Sequence, residues 1–174
     1  LLTFGFQSES IFRGVILTLD QESCGHFLFR GNEIALKIPG KHNAYNALAA
    51  LSVGVELGVE IKHCAEILSR FQAIEQRSEV IEIGDISVIN DCYNANPESM
   101  RAALDVLLNK VGSRKIALLG DMLELGSNSV SFHAELGLYA ATIVDELITI
   151  GPMAKYINNA ARDVGHLNVS HFED

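Results

Sequence analysis

The sequence predicts an α/β fold whose second half is a Rossmann-like, mostly parallel sheet with flanking helices. Two observations lead there. From about residue 79 onward, apolar strand-like runs alternate with stretches of helical period. Two conspicuous polar clusters, "NDCYNANP" and "GDMLELG", each follow directly after such a run. Strands joined through helices require right-handed crossovers and parallel pairing, with both sheet faces covered. Ligands on such sheets bind in the loops at the carboxyl ends of the strands, where both clusters fall.

The elements follow in order. Residues 1–38 read as strands: "GVILTLD", "GHFLFRG" and "NEIALKIPG" are alternating or β-branched runs separated by Gly, Asn and Ser. The chain begins without Met and in mid-strand, which suits a piece of a longer protein. From Asn43 to about Leu57, Ala, Leu and Val recur at helical spacing, and Gly58 is a natural stop. "EIKHCAEILSRF" is a second helix, with Ile61, Cys64, Ala65, Leu68 and Phe71 on one face. The charged, weakly patterned "QAIEQRSE" places a domain boundary near residues 73–78, giving domains 1–75 and 76–174. Beyond it, "EVIEI" and "ISVIND" are strands around a Gly84-Asp85 turn, and Pro97–Lys110 is a helix. "KIALLGD" is a strand, 129–141 a helix, "ELITIG" a strand and "PMAKYINNAARDVG" a helix.

Composition narrows the function classes. With 48 % apolar residues, 174 residues can bury a core. A formal net charge of −9 argues against nucleic acid or an anionic membrane, both of which need clustered Lys and Arg. A nucleotide needs only a local set of donors. Cys24, Cys64 and Cys92 are odd in number and lack metal or disulfide spacing, as suits a reducing cytoplasm. No apolar run reaches the length of a membrane span.

Three clusters can carry chemistry. In "DCYNANPES", Pro97 suits a first helical turn, Asn96 an N-cap and Glu98 the positive end of the helix dipole. Capping explains those three residues without any function. It leaves Asp91, Tyr93 and Asn94, a carboxylate, an aromatic and a spare amide suited to a polyol or nucleotide. In "GDMLELGSNSVSFH", Gly120 permits a tight turn, Asp121 and Glu124 add carboxylates, Ser129 reads as an N-cap, and His133 lies one turn further on. In "GKHNAYNALAA", His42 and Asn43 precede a helix and Asn46 falls in its first turn, where an adenine or phosphate would find hydrogen bonds. No Walker phosphate loop, G-x-G-x-x-G, G-x-S-x-G or H-E-x-x-H stands in the chain.

In this order the three clusters resemble one family, the ATP-dependent Mur ligases of bacterial cell-wall synthesis. "PGKHNAYNALAA" is similar to their late central-domain motif, and Gln76-Arg77 to the Gly-Arg that starts their C-terminal domain. "INDCYNANPESMRAALDVL" and "LLGDMLELGSNSVSFHAELG" resemble the long signatures of the branch that adds D-Ala-D-Ala. Sister ligases carry a D-Y-A-H-x-P type motif instead. Lys41 stands where arginine is common, Gln76 where glycine is common, and Cys92 replaces a small residue.

The resemblance implies a cytoplasmic, monomeric bacterial enzyme in three domains. It would use ATP and Mg2+ to phosphorylate the carboxylate of UDP-MurNAc-tripeptide, which the D-Ala-D-Ala amine then attacks. It implies that residues 1–75 end the central ATP-binding domain and that 76–174 are most of the C-terminal domain. The phosphate loop and metal ligands would lie outside this stretch, which would then be inactive alone. Carried over by position, His42, Asn43 and Asn46 would contact the adenine side of ATP, Arg77 would reach the nucleotide, and Asp91 and Tyr93 would hold its ribose and phosphates. Asn94, Asn96 and Ser99 would shape the dipeptide pocket, and His133 is a possible catalytic residue. Two alternatives are another amino-acid ligase, similar to folylpolyglutamate synthase, and a non-catalytic nucleotide-binding module.

Overall fold

Strands β1 (Phe4–Gly5), β2 (Phe12–Leu19), β3 (Cys24–Phe29) and β4 (Asn32–Pro39) form a sheet in that order. The β1–β2 pair is parallel and the others antiparallel. This is a computed structural model; it describes residues 1–166 and 168–173 and divides into two compact units, Leu1–Asn90 and Asp91–Asp174.

In the first unit, alternation along β3 and β4 turns Phe27, Phe29, Ile34 and Leu36 to one side. There they meet Ala44, Ala47, Leu48 and Leu51 of helix α1 (Lys41–Glu56). Helix α2 (Ile61–Arg70) adds Ile61, Cys64, Ala65 and Leu68 to the same core. Phe71, expected on that face, is an exposed cap residue instead, because the chain turns extended there. Strands β5 (Glu79–Ile83) and β6 (Ile86–Asn90) make a separate antiparallel hairpin around Gly84-Asp85.

The second unit contains helix α3 (Pro97–Asn109), strand β7 (Ile116–Leu119) and helix α4 (Ser129–Ala140). Strand β8 (Glu146–Ile150), helix α5 (Lys155–Asp163) and strand β9 (Val169–Phe172) follow. Strands β7, β8 and β9 pair in parallel in that order. The last strand was not legible, and α5 starts three residues later than the "PMAKY" run suggests.

All three helices feed one core. Met100 and Leu104 of α3, Leu136 and Ala140 of α4, and Ile157 and Ala161 of α5 pack with Ala117, Leu147 and Val169 from the strands. The opposite face is not covered as expected: Ile116, Leu118, Ile150 and Phe172 are exposed along it. Helices α4 and α5 touch at the backbone. A Cβ on Gly137 would lie 2.2 Å from the Ile157 carbonyl oxygen, so only glycine fits there.

Candidate functional site

In the first unit the polar residues gather at the start of α1. The helix begins at Lys41, earlier than its apolar period suggests, because Gly40 at φ 102 is the cap and offers no side-chain signal. A side chain on Gly40 would meet the His42 ring at 2.5 Å. His42 and Asn43 therefore lie inside the helix and not ahead of it. Asn43 Nδ2 donates to the Pro39 carbonyl at 2.8 Å, while Asn46 Nδ2 donates to Asn43 Oδ1 at 3.3 Å. That relay orients the Asn46 amide and leaves its Oδ1, on an exposed residue, without a protein partner among the described residues. An outward-facing amide oxygen suits a donor such as an exocyclic amine.

Arg77 sits on an exposed turn between two residues in the left-handed region, Gln76 at φ 63 and Ser78 at φ 51. The turn is tied by Arg77 N–H donating to the Ile74 carbonyl at 2.9 Å. Glu79 Oε2 accepts from both Gln76 N–H (3.2 Å) and Asn90 Nδ2 (3.1 Å).

In the second unit, Asp91, Tyr93, Asn94, Asn96 and Ser99 fall within nine residues ahead of and inside the first turn of α3. The expected cap is present. Asn96 Oδ1 accepts Ser99 N–H at 2.9 Å, and Ser99 Oγ accepts Asn96 N–H at 3.1 Å. This reciprocal pair satisfies two donors of the helix start and commits both side chains to structure. Asn96 keeps only its Nδ2 to offer outward, and the Ser99 hydroxyl proton is spent on the Asn96 carbonyl at 3.1 Å. Asn94 Oδ1 accepts Ala95 N–H at 2.9 Å, which fixes its amide beside the cap. Tyr93 is 62 % exposed, so its ring stands in solvent at the mouth of this turn.

The "GDMLELG" cluster has a different job. Leu119 and Thr149 are in register, so the loops after β7 and β8 lie side by side. Asp121 Oδ1 accepts Met153 N–H at 2.9 Å and Ala154 N–H at 2.6 Å. The carboxylate thus caps the entry to α5 from a different strand. A Cβ on Gly151, at φ 109, would lie 2.5 Å from Asp121 Oδ1, so glycine is required for this approach. Ser129 is not the N-cap of α4; Asn128 precedes it after a 3-10 turn at Gly126–Asn128, and no side chain caps that end.

His133 is fully buried, and both its ring nitrogens are engaged. Nδ1 lies 2.7 Å from the Ser129 carbonyl, and Nε2 lies 3.0 Å from Met122 N–H. A carbonyl only accepts and an amide N–H only donates, so Nδ1 carries the proton and Nε2 is bare. Both nitrogens meet backbone groups. Sequence reasoning missed this pairing and the Asp121 cap because both join residues distant along the chain. The in-register Gly-Asp and Gly-Pro at two successive strand ends are the signal that would have found the second.

Among the described residues, no three His, Cys, Asp or Glu side chains gather as a metal site. No helix is long and apolar enough to cross a membrane.

Comparison with known proteins bears on this geometry. Residues 76–174 match the family described as Mur ligase, glutamate ligase domain. The chain is 37 % identical over 153 residues to UDP-N-acetylmuramoyl-tripeptide–D-alanyl-D-alanine ligase of Bacillus subtilis, covering 85 % of this chain and 32 % of that protein. It superposes on the crystal structure of MurF from Acinetobacter baumannii with TM-score 0.86 and 29 % identity, over 99 % of this chain and 37 % of that one. On the MurF ligase of Thermotoga maritima in complex with ADP the TM-score is 0.73 at 25 % identity, covering 98 % and 44 %. The chain spans about a third of the length of the curated relatives it matches.

Proposed function

The chain belongs to the Mur ligases, whose glutamate ligase domain spans its residues 76–174, and from that premise we propose that it is part of an ATP-dependent ligase joining D-Ala-D-Ala to UDP-MurNAc-tripeptide. One observation carries the reading: the turn from Asp91 to Ser99 sets an exposed tyrosine and two oriented amides at the capped start of α3, at a strand end, within the Y-N-A-N-P motif.

In this reading residues 1–75 end the central ATP-binding domain and 76–174 form the C-terminal domain. The enzyme works as a cytoplasmic monomer in peptidoglycan precursor synthesis. The Asn46 carbonyl oxygen accepts from the adenine amino group, with His42 beside it and Asn43 fixing the amide. Arg77 offers a planar cation to the nucleotide phosphates. Asp91 accepts from ribose hydroxyls, and Tyr93 lies along the sugar. Asn94 and the Asn96 amide donor face the incoming dipeptide, while Ser99 serves through the cap. ATP with Mg2+ supplies the phosphoryl group that activates the tripeptide carboxylate; the dipeptide amine then attacks that carbonyl carbon, and phosphate leaves with its oxygen. The metal ligands lie outside these residues.

Phosphate release by the full-length parent protein tests the reading, with ATP and UDP-MurNAc-tripeptide, with and without D-Ala-D-Ala. Release that requires the dipeptide is expected. Equal release with L-alanine in place of the dipeptide, or none, overturns the substrate assignment.

A further inference from the structure

His133 holds the strand-end loop at Met122, a residue of the same core cluster as Met100 of α3. Its bare Nε2 accepts Met122 N–H at 3.0 Å, fixing the backbone of a residue that is itself 1 % exposed. The Met122 side chain is part of the core that holds Met100, in the first turn of α3, and Ala95, between the two asparagines, packs against that core. The Ser129 carbonyl holds the other ring nitrogen and sets the ring plane. A shift of Met122 therefore acts on the core cluster against which Ala95 packs, since a dense interior transmits displacement.

We propose that His133 is a positioning residue of the ligase: through Met122 it sets the height of the Asn94–Asn96 turn that receives the incoming dipeptide. This rests on the ligase reading. It assigns no proton transfer to His133, whose two nitrogens are spent on backbone.

Two substitutions separate the two nitrogens. In His133→Gln the side-chain oxygen reaches the Nε2 position and still accepts Met122 N–H, while the Ser129 bond is lost. In His133→Asn the short amide still donates to Ser129, while Met122 is released. In the full-length enzyme, His133→Gln is expected to keep kcat/KM for D-Ala-D-Ala within about 3-fold. His133→Asn is expected to raise KM for the dipeptide on the order of 10-fold with KM for ATP unchanged, given that a misplacement of about 1 Å costs up to about 100-fold. Amide exchange at Met122 should be slow in the wild type and His133→Gln and fast in His133→Asn. Equal dipeptide KM in the two variants overturns the proposal. So does abolition of turnover in both with loss of one limb of the pH profile, which would make His133 a catalytic group. Should His133→Asn not fold, His133→Gln alone decides: an active Gln variant supports positioning, and an inactive folded one refutes it. A wild type that ignores the dipeptide sinks the ligase reading separately, and with it the assigned role, whatever the exchange rates show.

Discussion

Asp121 caps a helix that begins thirty-odd residues later: its Oδ1 accepts the Ala154 N–H at 2.6 Å and the neighbouring Met153 N–H at 2.9 Å. A carboxylate aimed at a helix start gains from the dipole as well as from the hydrogen bonds. Both bonds use one oxygen, and the amide oxygen of asparagine can replace it. Asp121→Asn is expected to cost less than about 1 kcal/mol, and Asp121→Ala about 2–3 kcal/mol, because the alanine leaves two N–H groups without their acceptor. Urea unfolding of the two variants checks the difference; equal losses would show that the acceptor is unimportant.

Gly137→Ala should be among the most damaging single-methyl additions in the chain. Its Cβ would meet the Ile157 carbonyl carbon at 2.8 Å as well as the oxygen, so α4 and α5 must part. A cost of about 3 kcal/mol is expected, at the upper end for overpacking. Gly112→Ala is the control: its new Cβ meets only the Arg114 carbonyl oxygen, at 3.9 Å, and should change stability by no more than about 0.5 kcal/mol.

Gln76→Gly is expected to stabilise by about 0.5–1 kcal/mol. A side chain at φ 63 crowds its own carbonyl, a penalty glycine escapes and one that exceeds the extra freedom glycine gives the unfolded chain. A lower melting temperature in the variant would contradict this.

Tyr139 donates a hydrogen bond to Asp105, and that bond, followed by burial, holds its phenol above the ordinary 10.0. Tyr139 should give a phenolate component that titrates above 10.0, absent in Tyr139→Phe. The sign follows from a folded value raised over the unfolded one. The stabilisation is fully present below pH 10.0 and is lost as pH rises through the higher value. Stability of the wild type and Tyr139→Phe should converge in that alkaline range. A constant gap would argue against the shift.

Much of this fold was legible because its signals are local. Strands β2 to β4 carry their alternation in the chain, and Asn96-Pro97 announces α3 with the cap and the helical φ side by side. The start of α1 was misplaced because Gly40 caps it through backbone conformation alone. Ser129 looked like a cap from its residue type, but a 3-10 turn delivers the chain one residue earlier. Motif residues were found without their jobs. Asp121 and His133 bond to partners 32, 33 and 11 positions away, and no periodicity reports which atoms those loops bring together. Asn96 Oδ1 and Ser99 Oγ are also engaged in the cap, a use that the motif alone does not separate from binding.

Ile116, Leu118 and Ile150 lie bare along one side of the parallel sheet, with Leu118 at 67 % exposure. Prepared as this stretch alone, the folded chain should bind environment-sensitive fluorophores and hydrophobic resins on that side. Thermal scans that rely on such fluorophores would start from a high baseline and understate the transition. Circular dichroism is the sounder readout for every variant named above.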